Sequence, residues 1–154
     1  MKKWERKYSG SNLNFSPDSP GKMDMEQEKN RNIKLVLGYD GTDFCGWQIQ
    51  RQERTVQGVL EEALLTIHGH PVRTQAAGRT DTGVHATGQV VTFTTSNTTI
   101  GDSQFREALN FYLPHDVKVF QSCRVPEGFS ARFSARARVY RYFLYSGPVN
   151  VPHY

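Results

Sequence analysis

Residues 33–39 read IKLVLGY, and residues 55–69 read TVQGVLEEALLTIHG. In the first stretch an apolar residue stands at every second position, which predicts a β-strand with one buried face. In the second stretch apolar residues recur three and four positions apart, as on the buried side of a helix. Thr55 is a residue type that caps helix starts, and Gly69 is typical of a helix end. The two stretches therefore predict a strand followed by a capped helix.

The same two periodicities predict the remaining elements of the chain. Strands are expected at residues 72–76, 89–95, 117–125 and 139–145, and a second helix is expected to begin at Asp102 or Ser103 and to end at Pro114. Up to residue 125 the order is strand–helix–strand–strand–helix–strand, and the last strand is an addition to it. This order predicts an α+β fold, namely a ferredoxin-like (RRM-like) antiparallel sheet with two helices on one face.

Charge and apolar content divide the chain into two parts. The 154 residues include 19 Lys or Arg and 15 Asp or Glu, a formal net charge of +4. Residues 1–31 hold seven basic and five acidic residues but very few aliphatic ones. Such a composition predicts a disordered N-terminal leader. Residues 32–154 carry nearly all of the Val, Leu, Ile and Phe, and they are predicted to form one domain.

Several protein classes are not compatible with this sequence. It has no apolar run of about 18 residues, so no membrane span is expected, and no apolar segment typical of a signal peptide follows the N-terminus. Cys45 and Cys123 are too few for a disulfide framework, and no CxxC pair or HExxH motif suggests a metal site. We therefore expect a reduced, cytoplasmic protein without a bound metal.

A dense group of arginines and tyrosines lies near the end of the chain. Residues 124–141 contain five Arg and only one Glu, and the predicted last strand is aromatic on both faces. Aromatic rings stack on bases, and guanidinium groups pair with phosphates. The group therefore predicts an RNA-binding surface, and the arginines expected to contact RNA are Arg132, Arg136, Arg138 and Arg141.

The loop over residues 78–85 reads GRTDTGVH and carries the clearest chemical signal. Its two glycines permit a tight turn that presents Asp81 at the tip. Arg79 could pair with this carboxylate and keep it ionised, as a nucleophile or a general base requires. Taken alone, an Arg-x-Asp pair in a glycine loop is more often a structural salt bridge. His85 is interpreted as a hydrogen-bonding anchor of the loop.

Residues 78–86 (GRTDTGVHA) resemble the signature loop of the tRNA pseudouridine synthase A family. Four further motifs resemble this family in the same order: YDG at 39–41 with GWQIQ at 46–50, TVQ at 55–57 with LEEAL at 60–64, ARFSA at 131–135, and YRY at 140–142. The resemblance covers roughly residues 32–147. Thr82 departs from the family pattern, which commonly has Ala at this position.

The resemblance implies an isomerase that converts uridine to pseudouridine in the anticodon stem-loop of tRNA, near tRNA positions 38–40, without a cofactor or a metal. Asp81 then matches the catalytic aspartate. Tyr140 matches the tyrosine that stacks on the target uracil, and Arg79 the arginine that pairs with the aspartate and helps to extrude the base. The partner is tRNA, and the family resemblance also implies a homodimer.

The family's catalytic domain is about twice as long as the matching region, and a second, similar α/β half completes the active-site cleft. The resemblance therefore implies that residues 32–154 form the N-terminal half of a catalytic domain, with the C-terminal half absent. Activity of such a chain alone is expected to be weak or absent.

Two other functions compete with this interpretation. One is an RRM-like RNA-binding module without catalytic activity, which is weakened because the sequence lacks an RNP1 pattern. The other is a hydrolase that uses Asp81 and His85. It is the least supported, because no set of nucleophile, base and orienting group is visible in the sequence.

Overall fold

The computed structural model describes residues 30–144 and residue 146. Six elements follow one another in the predicted order: β1 (Arg31–Tyr39), α1 (Val56–His68), β2 (Thr74–Ala76), β3 (Ala86–Thr95), α2 (Phe105–Tyr112) and β4 (Val117–Val125). β1 begins at Arg31, one residue before the predicted start of the domain. The rest of the predicted leader, residues 1–29, lies outside the described residues.

The four strands form one antiparallel sheet with the order β2-β3-β1-β4. β1 lies in the interior of the sheet, and its register with β3 sets Ile33 opposite Phe93 and Leu35 opposite Val91. All four of these side chains are buried. Alternate residues of paired strands share a face, so this register places the apolar positions of both strands together. The predicted α+β class is confirmed.

Helix α1 matches its sequence signals. Thr55 Oγ1 accepts a hydrogen bond from the backbone N–H of Gly58 at 3.2 Å, and Gly69 follows the last turn. The side chains of Leu60 and Leu64 are fully buried in the same core as β1 and β3. The apolar side of α1 therefore covers the sheet face that these strands present.

Helix α2 begins later than predicted. Its N-cap position is Gln104, without a side-chain capping bond, so the expected cap at Asp102 or Ser103 is wrong. The reason is long-range, because the Asp102 carboxylate forms an ion pair with Arg31, and its backbone carbonyl accepts a hydrogen bond from Ser122. Asp102 is thus engaged by β1 and β4 instead of the helix. Within the described range no helix is long and apolar enough to span a membrane.

The predicted last strand at 139–145 is wrong over its described part. Residues 139–144 have no regular secondary structure, and the side chains of Val139, Tyr142, Phe143 and Leu144 are 85–94% exposed. A strand needs a neighbour for its backbone N–H and C=O groups, and no described strand pairs with this segment. The alternation of aromatic residues was therefore not sufficient to indicate a strand.

Residues 126–138 cross the face of the sheet opposite the helices. The amide of Asn32 on β1 donates to the Phe129 carbonyl at 2.7 Å, and Ala131 is buried with its N–H 3.4 Å from Thr92 Oγ1 on β3. Arg138 Nε donates to the carbonyl of Ala77, just after β2, at 2.6 Å. The crossing segment therefore carries two of the predicted arginines, Arg132 and Arg138, to the loop that holds Asp81.

Candidate active site

Asp81 lies at the exposed tip of the loop between β2 and β3, as the sequence predicts. The main chain of the loop after β1 holds this loop in place. The Trp47 N–H donates to the Thr80 carbonyl at 2.9 Å, and the Gly83 N–H donates to the Phe44 carbonyl at 3.2 Å. Because these bonds lie on both sides of Asp81, they fix the backbone from which its carboxylate projects.

The contact between the two loops depends on Gly46. Its φ is +81°, a value that side-chain-bearing residues rarely adopt. A Cβ at this position would also lie 2.6 Å from the Thr80 carbonyl oxygen, which is too close for a real contact. The lack of a side chain at Gly46 is therefore what lets the two backbones approach each other.

Two buried side chains hold the same loop from within the domain. The Tyr39 hydroxyl lies 2.8 Å from Thr80 Oγ1, and Gln89 Nε2 on β3 donates to the Gly78 carbonyl at 2.6 Å. Burial raises the pKa of Tyr39, so its hydroxyl stays protonated at neutral pH. Neither role was predicted from the sequence. The available signal was Gln89, a polar residue on the inward-facing side of a strand whose next inward positions are Val91 and Phe93.

The expected ion pair between Arg79 and Asp81 is not formed. Among residues 30–144 the Asp81 carboxylate has no hydrogen bond or ion pair to another side chain. Both residues are exposed, and an exposed ion pair adds only about 0–1 kcal/mol, too little to hold two solvated side chains together. Arg79 instead lines a cleft in which Asp81 takes no part.

His85 anchors the base of the loop, as predicted. Its Nδ1 atom lies 3.2 Å from the Gly41 backbone N and 3.1 Å from an Asp40 carboxylate oxygen. The hydroxyl and N–H of Thr42 donate to the same carboxylate, and they hold the pKa of Asp40 below its usual value. No hydrogen bond or ion pair joins His85 to Asp81 in the described part of the chain, so the hydrolase interpretation gains no support.

A cleft of about 570 Å³ lies beside the Asp81 loop. Its lining includes the predicted residues Arg79, Arg132, Arg138 and Tyr140, and none of the described residues that line it is acidic. A second cleft of about 550 Å³ shares Gly78, Arg138 and Tyr140 with the first and also reaches Thr80. Tyr140 is 53% exposed, so one part of its ring is available for stacking. A cleft with three guanidinium groups and an exposed phenol suits a nucleotide.

The other predicted residues lie outside this cleft. Arg136 and Arg141 are exposed and do not line either cleft beside the loop. Asp81 lines neither cleft, although Arg79 lines the first and Thr80, the residue directly before Asp81, lines the second. Within residues 30–144 no three His, Cys, Asp or Glu side chains are grouped closely enough to hold a metal ion.

Comparisons with known proteins agree with these features. The family model described as tRNA pseudouridine synthase matches residues 36–134. The tRNA pseudouridine synthase A of Anoxybacillus flavithermus is 52% identical over 122 residues, which are 79% of this chain and 49% of that protein. The synthase A of Treponema denticola is 45% identical over 136 residues, which are 85% of this chain and 50% of that protein.

A third relative, the tRNA pseudouridine synthase A of Clostridium botulinum strain Eklund 17B, is 50% identical over 114 residues, 74% of this chain and 46% of that protein. The chain thus spans about half the length of the curated relatives it matches. The family match runs from within β1 through the Asp81 loop to Ser134. On this match, the chain belongs to the tRNA pseudouridine synthase family.

Proposed function

We propose that this chain supplies the N-terminal half of the active site of a tRNA pseudouridine synthase, and that its substrate is uridine at positions 38–40 in the anticodon stem-loop. The observation that carries the proposal is the position of Asp81. Its exposed carboxylate projects from a loop held by backbone hydrogen bonds, next to a cleft whose described lining contains Tyr140 and, among charged groups, only arginines.

The reaction moves one glycosidic bond from nitrogen to carbon. The target base leaves the helical stack, the N1–C1′ bond breaks, and the uracil turns over. The electron pair of the broken bond stays on N1, a C5–C1′ bond then forms, the hydrogen on C5 leaves as a proton, and N1 takes up a proton. The Asp81 carboxylate serves this sequence either by adding covalently to the sugar or base, or by stabilising the positive charge that develops on the sugar.

The neighbouring side chains have separate roles in the proposal. The exposed part of the Tyr140 ring gives the detached uracil a surface on which to stack while it turns. Arg79 lines the cleft without pairing with Asp81, so its guanidinium is available to the RNA and helps to keep the base extruded. Arg132 and Arg138 contact phosphates inside the cleft, and Arg136 and Arg141 contact phosphates outside it.

The proposal also covers the organisation of the protein. A second α/β half would complete the cleft, and the whole enzyme would act on tRNA in the cytoplasm as a homodimer. Residues 1–30, which are the predicted leader 1–31 without Arg31 of β1, would precede the domain as a segment that folding does not require. The order β2-β3-β1-β4 and the element sequence support assignment of the described half to the ferredoxin-like fold.

The test is release of tritium from C5-labelled uridine in tRNA. We expect little release by the 154-residue chain alone, because its flipped base has no closed pocket that excludes water. Addition of the C-terminal half of the Anoxybacillus flavithermus relative should increase the release strongly. In that mixture Asp81→Asn should abolish release and leave tRNA affinity unchanged, since the amide keeps the shape of the side chain but not its nucleophilic charge.

Asp43→Asn is the matched control, because Asp43 is an exposed aspartate in the neighbouring loop after β1. It should retain the rate of the unchanged chain. Full turnover by the 154 residues alone would exclude a divided active site, and turnover by Asp81→Asn would exclude Asp81 as the catalytic group. Binding of tRNA without tritium release in every mixture would favour the RNA-binding module.

A further inference from the structure

Tyr39, the last residue of β1, reaches the Asp81 loop through its hydroxyl. The side chain is 5% exposed, and its ring lies tilted against Trp47 with the ring centroids 6.1 Å apart. The hydroxyl is 2.8 Å from Thr80 Oγ1. Because the buried phenol stays protonated, it is able to donate this hydrogen bond to Thr80, the residue directly before Asp81.

Both oxygens of Thr80 are engaged by buried residues. Oγ1 contacts the Tyr39 hydroxyl, and the carbonyl accepts from the Trp47 N–H at 2.9 Å. Two residues earlier, the Gly78 carbonyl accepts from Gln89 at 2.6 Å. The chain leading to Asp81 is therefore fixed by three groups that belong to the interior of the domain.

The Asp81 carboxylate itself has no such support. In the described range no side chain or N–H group hydrogen-bonds to it, so the domain positions it only through the backbone on either side, which is held at Thr80 and at Gly83. A displacement of about 1 Å in a reacting group can lower a rate by about 100-fold. The hydrogen bond that orients Thr80 is thus placed to control where the carboxylate points.

We propose that the Tyr39 hydroxyl, acting through Thr80, is a positioning group for the Asp81 carboxylate. The inference rests on the proposed function, since it gives Tyr39 a role in the same isomerisation. Tyr39 acts through Thr80 and contacts no substrate, so it is a positioning residue, whereas Tyr140 is the tyrosine that meets the base. Removal of the hydroxyl keeps the buried ring but releases Thr80, and the carboxylate then samples unproductive directions.

The activity test uses the 154-residue chain with the C-terminal half of the Anoxybacillus flavithermus relative. In single-turnover tritium release, Tyr39→Phe and Thr80→Val should each be about 10- to 100-fold slower, with tRNA affinity within about twofold of the unchanged chain. The double variant should be no slower than the slower single variant, because both substitutions remove the same hydrogen bond. Thr80→Ser keeps the hydroxyl and should retain most of the rate.

Tyr112→Phe is the matched control, because it removes the hydroxyl of a half-exposed tyrosine at the end of α2. It should leave the rate unchanged. A Tyr39→Phe rate equal to that of this control, or losses that multiply in the double variant, would overturn the proposal.

Amide hydrogen exchange of the 154-residue chain alone gives a readout that does not depend on activity. The N–H groups of Trp47 and Gly83 are hydrogen-bonded across the contact between the loops, and the N–H of Val84 is hydrogen-bonded to the Asp81 carbonyl within the Asp81 loop. In Tyr39→Phe these three should exchange faster, while the amides of Leu35 and Val91 in the core strands keep their rates. Uniform acceleration would mean that Tyr39 only stabilises the fold, and it would overturn a positioning role.

The exchange measurement also separates the two proposals. If Asp81→Asn retained full activity, the proposed function would fail. Local exchange at Gly83 and Val84 would then still decide whether the Tyr39 hydroxyl anchors the loop.

Discussion

Gly46 lies against the carbonyl oxygen of Thr80, so closely that a Cβ on Gly46 would stand 2.6 Å from that oxygen. The same oxygen accepts a hydrogen bond from the Trp47 N–H, so the close approach of Gly46 and this hydrogen bond both involve the Thr80 carbonyl. The position of Asp81 therefore depends on a backbone approach that only glycine permits at residue 46.

Gly46→Ala should destabilise the protein by about 2–4 kcal/mol, because the positive φ and the contact with Thr80 both oppose a side chain. Gly83→Ala tests the effect of positive φ without the steric contact, since Gly83 has φ +76° but open space where a Cβ would lie. This substitution should lower the free energy of unfolding by about 1–2 kcal/mol. Gly88→Ala has neither restriction and should change stability by less than about 0.5 kcal/mol. Urea unfolding measures all three, and equal losses would contradict the steric argument.

Arg31→Ala should lower the free energy of unfolding by about 1–3 kcal/mol. Its side chain is 14% exposed, and it joins β1 to the Asp102 carboxylate and to the carbonyls of Asn97 and Ile100. Removal leaves these acceptors without their donor. Arg73→Ala is the control, because the Arg73 side chain is 82% exposed and its partner Glu61 keeps hydrogen bonds from Thr74 and Gln57 after the substitution, so the loss should be at most about 1 kcal/mol. A smaller loss for Arg31 than for Arg73 in thermal unfolding would contradict this account.

Stability should fall as the pH drops below about 6.5, and His68 should cause part of that fall. Burial lowers the pKa of His68, whose ring stacks on Phe105 and whose nitrogens contact Leu64 O at 2.8 Å and Thr95 Oγ1 at 2.7 Å. Between the lowered folded pKa and the ordinary unfolded pKa, the unfolded chain binds more protons. The contribution of neutral His68 is therefore complete above the unfolded value and is lost as pH decreases through the window.

Chemical denaturation at pH 5 to 8 tests the His68 prediction. His68→Gln should reduce the slope of stability against pH, while His70→Gln, which removes an exposed imidazole next to it, should retain most of the slope. If the slope persisted in His68→Gln and disappeared in His70→Gln, the pH dependence would belong to His70 and the prediction would be wrong.

Replacement of both Arg136 and Arg141 by Ala should weaken tRNA binding and reduce the slope of log K against log salt by about 0.7–0.9 for each lost phosphate contact. Both side chains are exposed, Arg136 on the segment that crosses the sheet and Arg141 three residues after that segment. Arg106→Ala removes an exposed guanidinium from α2, where it pairs with Glu107, and it should leave the slope unchanged. The slopes are measured by tRNA titration at increasing salt. If the unchanged chain, the double variant and Arg106→Ala all gave the same slope, Arg136 and Arg141 would not contact the RNA.

Local signals in the sequence were sufficient for the elements whose causes are local. The cap at Thr55, the end of α1 at Gly69 and the alternating burial in β1 follow directly from neighbouring residues. The start of α2 could not be predicted in this way, because Arg31 and Ser122 occupy Asp102 from distant parts of the chain. The strand expected at 139–145 failed for a similar reason, since pairing depends on a neighbour that the local pattern does not encode.

The sequence was sufficient to predict which residues of the candidate site lie near one another, but not which hydrogen bonds hold the Asp81 loop. Motif resemblance placed Asp81, Arg79 and Tyr140 in one region, and the structure brings Arg79 and Tyr140 to one cleft with Asp81 beside it. The hydrogen bonds from Tyr39 and Gln89 join residues far apart in sequence, and no spacing rule indicates them.

The bond between Tyr39 and Thr80 joins residues 41 positions apart, and this separation has a kinetic consequence. Bringing the ends of so long a segment together costs chain entropy before the contact can stabilise the fold, whereas α1 needs only hydrogen bonds between residues close in sequence. An intermediate that contains β1 and α1 but not the docked β2–β3 hairpin would lack the Asp81 geometry altogether. During synthesis, Tyr39 also leaves the ribosome well before Thr80. This separation predicts that the Asp81 loop is completed after the local elements and that its assembly waits for long-range strand pairing.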